Sequence, residues 1–172
     1  DVNFNGTYTI SGKVLNGDTT GGLGEVVIRF NGFNPLTTAP DGTWEKAGLQ
    51  GNITVTVIAS RTGYGFSPAD RVISGPTSVV SFAGYQKFTA SGHVSCNGQP
   101  LGGVTSQVES FGDVTTDAAG NWSKAGVFGS FDVTPSLVVG TLPATVFSPQ
   151  WRHIGKINPI ADFGVATYAV SG

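Results

Sequence analysis

One cysteine, Cys96, stands in 172 residues, so no disulfide can form within the chain. Methionine is absent, and His93 and His153 are the only histidines. Charged residues make up 12%, about half the usual share. The net charge of −2 offers no electrostatic attraction for nucleic acid or an anionic membrane. No apolar run approaches the roughly 18 residues that a membrane-spanning helix needs. No stretch holds a helical period over helical length. Metal spacing is missing too: there is no His-x-x-His, no cysteine pair and no EF-hand loop. A Ser-His-Asp set could be drawn from the residues present, but no Gly-x-Ser-x-Gly context supports a nucleophile. The expectation is therefore no catalytic residues, no cofactor, no metal and no enzyme activity.

What is abundant is glycine, 26 residues, with Thr, Ser and Val. Hydrophobic residues reach 39% and alternate, which rules out disorder. The organising stretch is Thr7-Tyr8-Thr9-Ile10-Ser11-Gly12. It returns as Lys87-Phe88-Thr89-Ala90-Ser91-Gly92 and again as Thr167-Tyr168-Ala169-Val170-Ser171-Gly172. The step is 80 residues both times, the size of a small domain and not of a solenoid unit. The chain is thus a tandem repeat, expected as a first β-sandwich over 1–83 and a second over 84–172 with a terminal strand at 165–172.

Within the first repeat, Thr7 to Leu15 alternates as a strand and Asn16-Gly17 is a turn signal. Glu25 to Phe30 puts Val26, Ile28 and Phe30 on one face. Pro40-Asp41-Gly42 turns, and Trp44 follows. Asn52 to Ser60 aims Ile53, Val55, Val57 and Ala59 one way. Tyr64 to Pro68 reads as a loop, and strands follow at Arg71 to Ile73 and Thr77 to Phe82. The second repeat keeps the order, with a turn at Asp117-Ala118-Ala119-Gly120 before Trp122. About seven short strands per repeat and regular turns predict an all-β fold, two antiparallel sandwiches.

The best-preserved signature is Thr37 to Gly51, TTAPDGTWEKAGLQG, against Thr115 to Gly129, TTDAAGNWSKAGVFG. With Ser-Gly-x-Val at each start, Leu101-Gly102-Gly103-Val104 and Gly63 to Pro68, it resembles the carboxypeptidase-regulatory-like repeats of prokaryotic surface proteins. Those are Ig-like or transthyretin-like sandwiches that serve as spacers, stalks and accessory modules. The resemblance implies an extracellular or cell-surface place and no catalytic residues. In a related adhesin family a Lys of the first strand is linked to an Asn of the last. Lys13 is the one candidate here, and His93 replaces it in the second repeat.

Trp44 and Trp122 recur after equivalent turns and are expected in the core, near Gly51 and Gly129. Trp151, beside Arg152 and His153, has no counterpart, since the first repeat places Asp70 there. It is the candidate ligand contact, together with Tyr64. Asp1 to Phe4 copies the end of a repeat, and Thr167 to Gly172 the start of the next. These half-strands suggest strand donation between molecules through Val2, Phe4, Val165, Tyr168 and Val170. Two functions are open to such a sequence. One is an extracellular structural protein, a stalk or filament subunit that associates head-to-tail with itself. The alternative is a secreted accessory module whose partner is a polysaccharide.

Overall fold

The computed structural model describes residues 6–50, 54–75, 79–137 and 146–166. Among these residues every helix or strand is a strand, so the fold is all-β as expected. The chain divides into two compact units, Asp1–Gln86 and Lys87–Gly172. Their boundary lies past residue 83 because the last strand of unit 1 continues to Gln86.

Unit 1 contains β1 (Thr7–Asn16), β2 (Val27–Phe30), β3 (Phe33–Thr37), β4 (Thr43–Gln50), β5 (Val55–Ser60), β6 (Tyr64–Ser67), β7 (Asp70–Ile73) and β8 (Val80–Gln86). They form two sheets, ordered β4-β1-β8-β6 and β3-β2-β5-β7. Alternation along β2 and β5 buries Ile28, Phe30, Val55, Val57 and Ala59, and Val26 just before β2 is buried with them. From the other sheet Ile10, Val14, Trp44, Leu49 and Phe82 join the same core. Phe30 meets Trp44 edge-on across the sheets, with ring centroids 5.8 Å apart.

Unit 2 contains β9 (Phe88–Cys96), β10 (Gln99–Pro100), β11 (Thr105–Val108), β12 (Val114–Thr115), β13 (Asn121–Val127), β14 (Ser130–Ser136), β15 (Val146–Ser148), β16 (Arg152–Gly155) and β17 (Phe163–Ala166). Its sheets repeat the plan: β9 lies between β13 and β17, β15 is next to β17, and the second sheet runs β12-β11-β14-β16. β10 is a short hairpin partner of β9, where unit 1 has a single bridge between Leu15 and Gly22.

One sheet of each unit is mixed, and the other is purely antiparallel. In unit 1 β1 pairs with β8 in parallel, Gly12 to Asn16 lying against Val80 to Gly84. In unit 2 β9 pairs with β17 in parallel, Val94 lying against Phe163. Parallel neighbours need a long crossover between them. Here that crossover holds the entire second sheet and further strands of the first sheet, a relation between first and last strands that local alternation does not report. Two elements also differ from expectation. Tyr64 to Ser67 is strand β6, paired antiparallel with β8, despite its Gly and the following Pro. β3 pairs with β2 although Pro35 interrupts its pattern.

Repeated motifs have local physical causes. Gly12 and Gly92 lie beneath the indoles of Trp44 and Trp122: a Cβ at either would come within 2.6 Å of the ring. Each also abuts a carbonyl of the neighbouring segment, Val80 or Ala161, so Ser-Gly repeats where a backbone must pass closely. Lys-Ala-Gly repeats because Gly48 and Gly126 hold φ of 77° and 78° at a register break in β4 and β13. The second Thr of each Thr-Thr pair is buried. Thr38 Oγ1 donates to the Leu23 carbonyl and accepts from Val26 N–H. Thr116 does the same with Leu101 and Val104.

Candidate functional site

Trp44 and Trp122 are core residues, 6% and 3% exposed, which takes both away from any ligand. They pack on Gly12 and Gly92, and Trp122 Nε1 donates to the Ala161 carbonyl at 3.2 Å. Tyr64 is not a free platform. Its ring packs against the unit 1 core, the Arg61 guanidinium sits 5.0 Å from its centroid, and its hydroxyl meets Gln86 Nε2 at 3.3 Å. Arg61 in turn pairs with Glu25 at 2.9 Å. Both the ring and the hydroxyl of Tyr64 are thus engaged within unit 1, and the ring is partly exposed.

Val165 also differs from expectation. It is 7% exposed, in β17, with Phe147 of β15 on one side and Cys96 of β9 on the other. Its ladder and side chain are both satisfied by its own unit, so it is not a strand residue awaiting another molecule. Val2, Phe4, Tyr168 and Val170 lie outside the described residues. Lys13 is exposed, and the backbone of β1 sets it against Ser81 and Thr43, so no Asn of the last strand faces it. Cys96 is partly buried against the unit 2 core.

The turn aspartates serve the backbone. Asp41 Oδ1 accepts from Thr43 N–H at 3.0 Å and Thr43 Oγ1–H at 2.6 Å. These bonds, the hydroxyl first, hold its carboxyl below the ordinary 3.8. Asp117 Oδ1 accepts from Ala119 and Asn121 N–H, both at 2.9 Å. Among the described residues no group of three or more His, Cys, Asp or Glu could hold a metal ion.

Two arrangements remain. The first is the β1–β8 and β9–β17 ladders, which join the strand that begins each unit to the strand that ends it. The second is the outer face of the β12-β11-β14-β16 sheet. Along β14, Phe131 and Val133 point inward while Asp132 and Thr134 point out. Asp132 lies between Glu109, just past β11, and His153 of β16. Asp132 N–H donates to Glu109 Oε2 at 3.0 Å, and His153 Nδ1 lies 2.7 Å from Asp132 Oδ1. The pair is open to water, with side chains 60% and 47% exposed, so its contribution to stability is small, about 0–1 kcal/mol. Ile154 points inward and His153 outward, and Trp151, one residue before β16, continues the outward set at 55% exposure. Sequence reading found Trp151 and His153 but missed Asp132 and Glu109. The alternation of Phe131, Val133 and Pro135 could have placed Asp132 outward; only strand register brings it to His153.

Fold and site together define a tandem of two non-identical β-sandwich units built on one plan. No family model matches the chain, so the likeness to carboxypeptidase-regulatory-like repeats rests on the motif residues alone. The chain is 34% identical over 106 residues to chitinase ChiA of Flavobacterium johnsoniae. That stretch is 58% of this chain and 7% of the chitinase, so the chain spans a small fraction of the curated relative's length. Among solved structures, the shaft pilin SpaA of Lactobacillus rhamnosus GG is 11% identical with a TM-score of 0.39, covering 97% of this chain and 100% of that one. GBS52, the minor pilin of Streptococcus agalactiae, is 8% identical with a TM-score of 0.42, covering 96% and 98%.

Proposed function

We propose that the chain is a pair of non-catalytic spacer modules in a larger extracellular protein, and that each unit bears tension along the chain. The observation that carries this reading is the parallel pairing of first and last strands in both units. Parallel strands start at the same end of a sheet. The chain therefore enters a unit at one end, along β1 or β9, and leaves at the other, along β8 or β17. Pulling on the chain shears the whole ladder at once and does not open it one bond at a time. A module built this way holds its two flanking segments apart.

Other observations support the same reading. What the units share is core and turn: Trp on Gly, the buried Thr, the glycine bulge. What they do not share is surface. Spacing requires the fold to recur and leaves the exposed residues free to diverge. The Thr-, Ser- and Gly-rich composition with 12% charge fits an extracellular place. Similarity to 7% of a chitinase fits a short module beside a polysaccharide-degrading enzyme, and that enzyme's activity is not carried over.

Filament assembly through donated end strands is the competing form of the structural reading, and the seating of Val165 in its own sheet weighs against it. Sedimentation and negative-stain microscopy of the purified chain separate the two. Discrete particles of one chain's mass are expected at every concentration. Fibres that grow with concentration would replace the spacer with a self-assembling filament subunit.

A further inference from the structure

Equivalent positions of the two outer sheet faces carry different chemistry. In unit 1 the register sets Arg29, Ile58 and Asp70 in one cross-strand row. Asn31, Thr56 and Val72 form the next, where Asn31 Oδ1 accepts from Thr56 N–H. In unit 2 the first row becomes Gln107 and Thr134, with Trp151 one residue before β16 at the place of Asp70, and the second Glu109, Asp132 and His153. A third row holds Thr115, Thr105 and Ser136. The backbone clamp is kept, Asn31 on Thr56 matching Glu109 on Asp132, so the fold does not demand the new residues. Unit 2 has gained one exposed indole, two carboxylates, an imidazole, an amide and a line of hydroxyls. No Lys or Arg lies in these rows.

We infer that this face of unit 2 binds a neutral pyranose polysaccharide. A pyranose ring has an apolar face of C–H groups and a rim of hydroxyls. The Trp151 ring, 55% exposed, offers a flat apolar surface for the first. Asp132 and Glu109 accept hydrogen bonds from the second, and Gln107 and Thr134 both donate and accept. The hydrogen bonds from Asp132 N–H to Glu109 and between His153 and Asp132 hold both carboxylates in place before a sugar arrives. Three strands at about 4.8 Å spacing make the rows about 10 Å long, room for about two rings. The same carboxylates repel a polyanionic chain such as polygalacturonate, so charge selects the occupant. The inference does not rest on the spacer reading, and either can fail alone.

The test is native affinity electrophoresis of the 172-residue chain in gels containing glycol chitin, hydroxyethylcellulose, xylan or polygalacturonate. Retardation by at least one of the three neutral polymers, and none by polygalacturonate, is expected. Trp151→Ala should weaken it roughly tenfold or more, since one aromatic contact supplies much of the binding. Trp151→Phe should restore part of it. Trp44 and Trp122 are buried, so the sugar-induced change in tryptophan emission should also vanish in W151A. Because Trp151 is exposed, W151A should unfold like the parent chain. No retardation by any neutral polymer, equal retardation of W151A, or retardation by polygalacturonate alone would overturn the inference.

Discussion

Replacing Gly92 by Ala should destabilise unit 2 and leave unit 1 untouched. The added Cβ would lie 2.6 Å from Trp122 Nε1 and 2.7 Å from the Ala161 carbonyl carbon. Comfortable contact needs about 3.5–4.0 Å, and the Ala161 carbonyl oxygen is nearer still, so the backbone there must move by more than about 1 Å. The segment leading into β17 must shift, opening the parallel ladder, and the indole must shift with it, losing its bond to the Ala161 carbonyl. Overpacking of this kind costs about 1–3 kcal/mol, and the lost hydrogen bond about 1 more. The sum, about 2–4 kcal/mol, is a large part of a small domain's stability of about 5–15 kcal/mol. For a unit of this size it lowers the melting temperature by roughly 10–25 °C. Denaturant titration followed by tryptophan emission reads the two units separately. Trp44 reports unit 1, Trp122 reports unit 2, and exposed Trp151 changes little. In G92A the Trp122 transition should move to lower denaturant and the Trp44 transition should stay. Gly12→Ala should give the mirror result. Neither transition moving, or both moving together in G92A, would refute the close-approach reasoning and the independence of the units.

Ser106 is fully buried with no partner for its hydroxyl, at the position that Ile28 fills in unit 1. Ser106→Ala should therefore hold or raise the stability of unit 2, by up to about 1–3 kcal/mol in the same titration, and a loss would mean the hydroxyl has a partner. Unit 2 also carries Ala90, Val127 and Ala161 where unit 1 has Ile10, Leu49 and Val80. Its transition should come first in the parent chain, although Phe131 in place of Val55 offsets part of the difference. Asp41 has its pKa lowered by Thr43, so its stabilisation is present above the unfolded value near 3.8 and is lost as pH falls through the lower folded value. The stability difference between parent and Asp41→Asn should shrink from pH 5 to pH 3, and a constant difference would contradict it.

Much of the fold was legible because its determinants are local. Alternation at Val55, Val57 and Ala59 marks a half-buried strand, and all three are core. Recurrence of Trp after equivalent turns marks a core position. The reason for the Trp was not legible: both indoles pack on glycines more than 25 residues away in their own unit, Gly12 and Gly92, while Gly51, one of the expected neighbours, lies outside the described residues. The same limit hid the parallel ladders and the row of Glu109, Asp132 and His153, which only strand register assembles. The strand at Tyr64 was hidden for a related reason. An aromatic between glycines reads as a loop platform, yet pairing with β8 and the guanidinium of Arg61 make it part of unit 1's own packing.

The tension-bearing role is tested most directly by pulling single molecules from their two chain ends. Each unit should unfold in its own step, releasing roughly 250–300 Å of chain. The force should lie well above that needed when a unit is pulled through handles on Ser67 and Ala83, a directly paired position of β6 and β8, where the ladder opens bond by bond. One step for the whole chain, or end-to-end forces no higher than those of the opening geometry, would contradict the account.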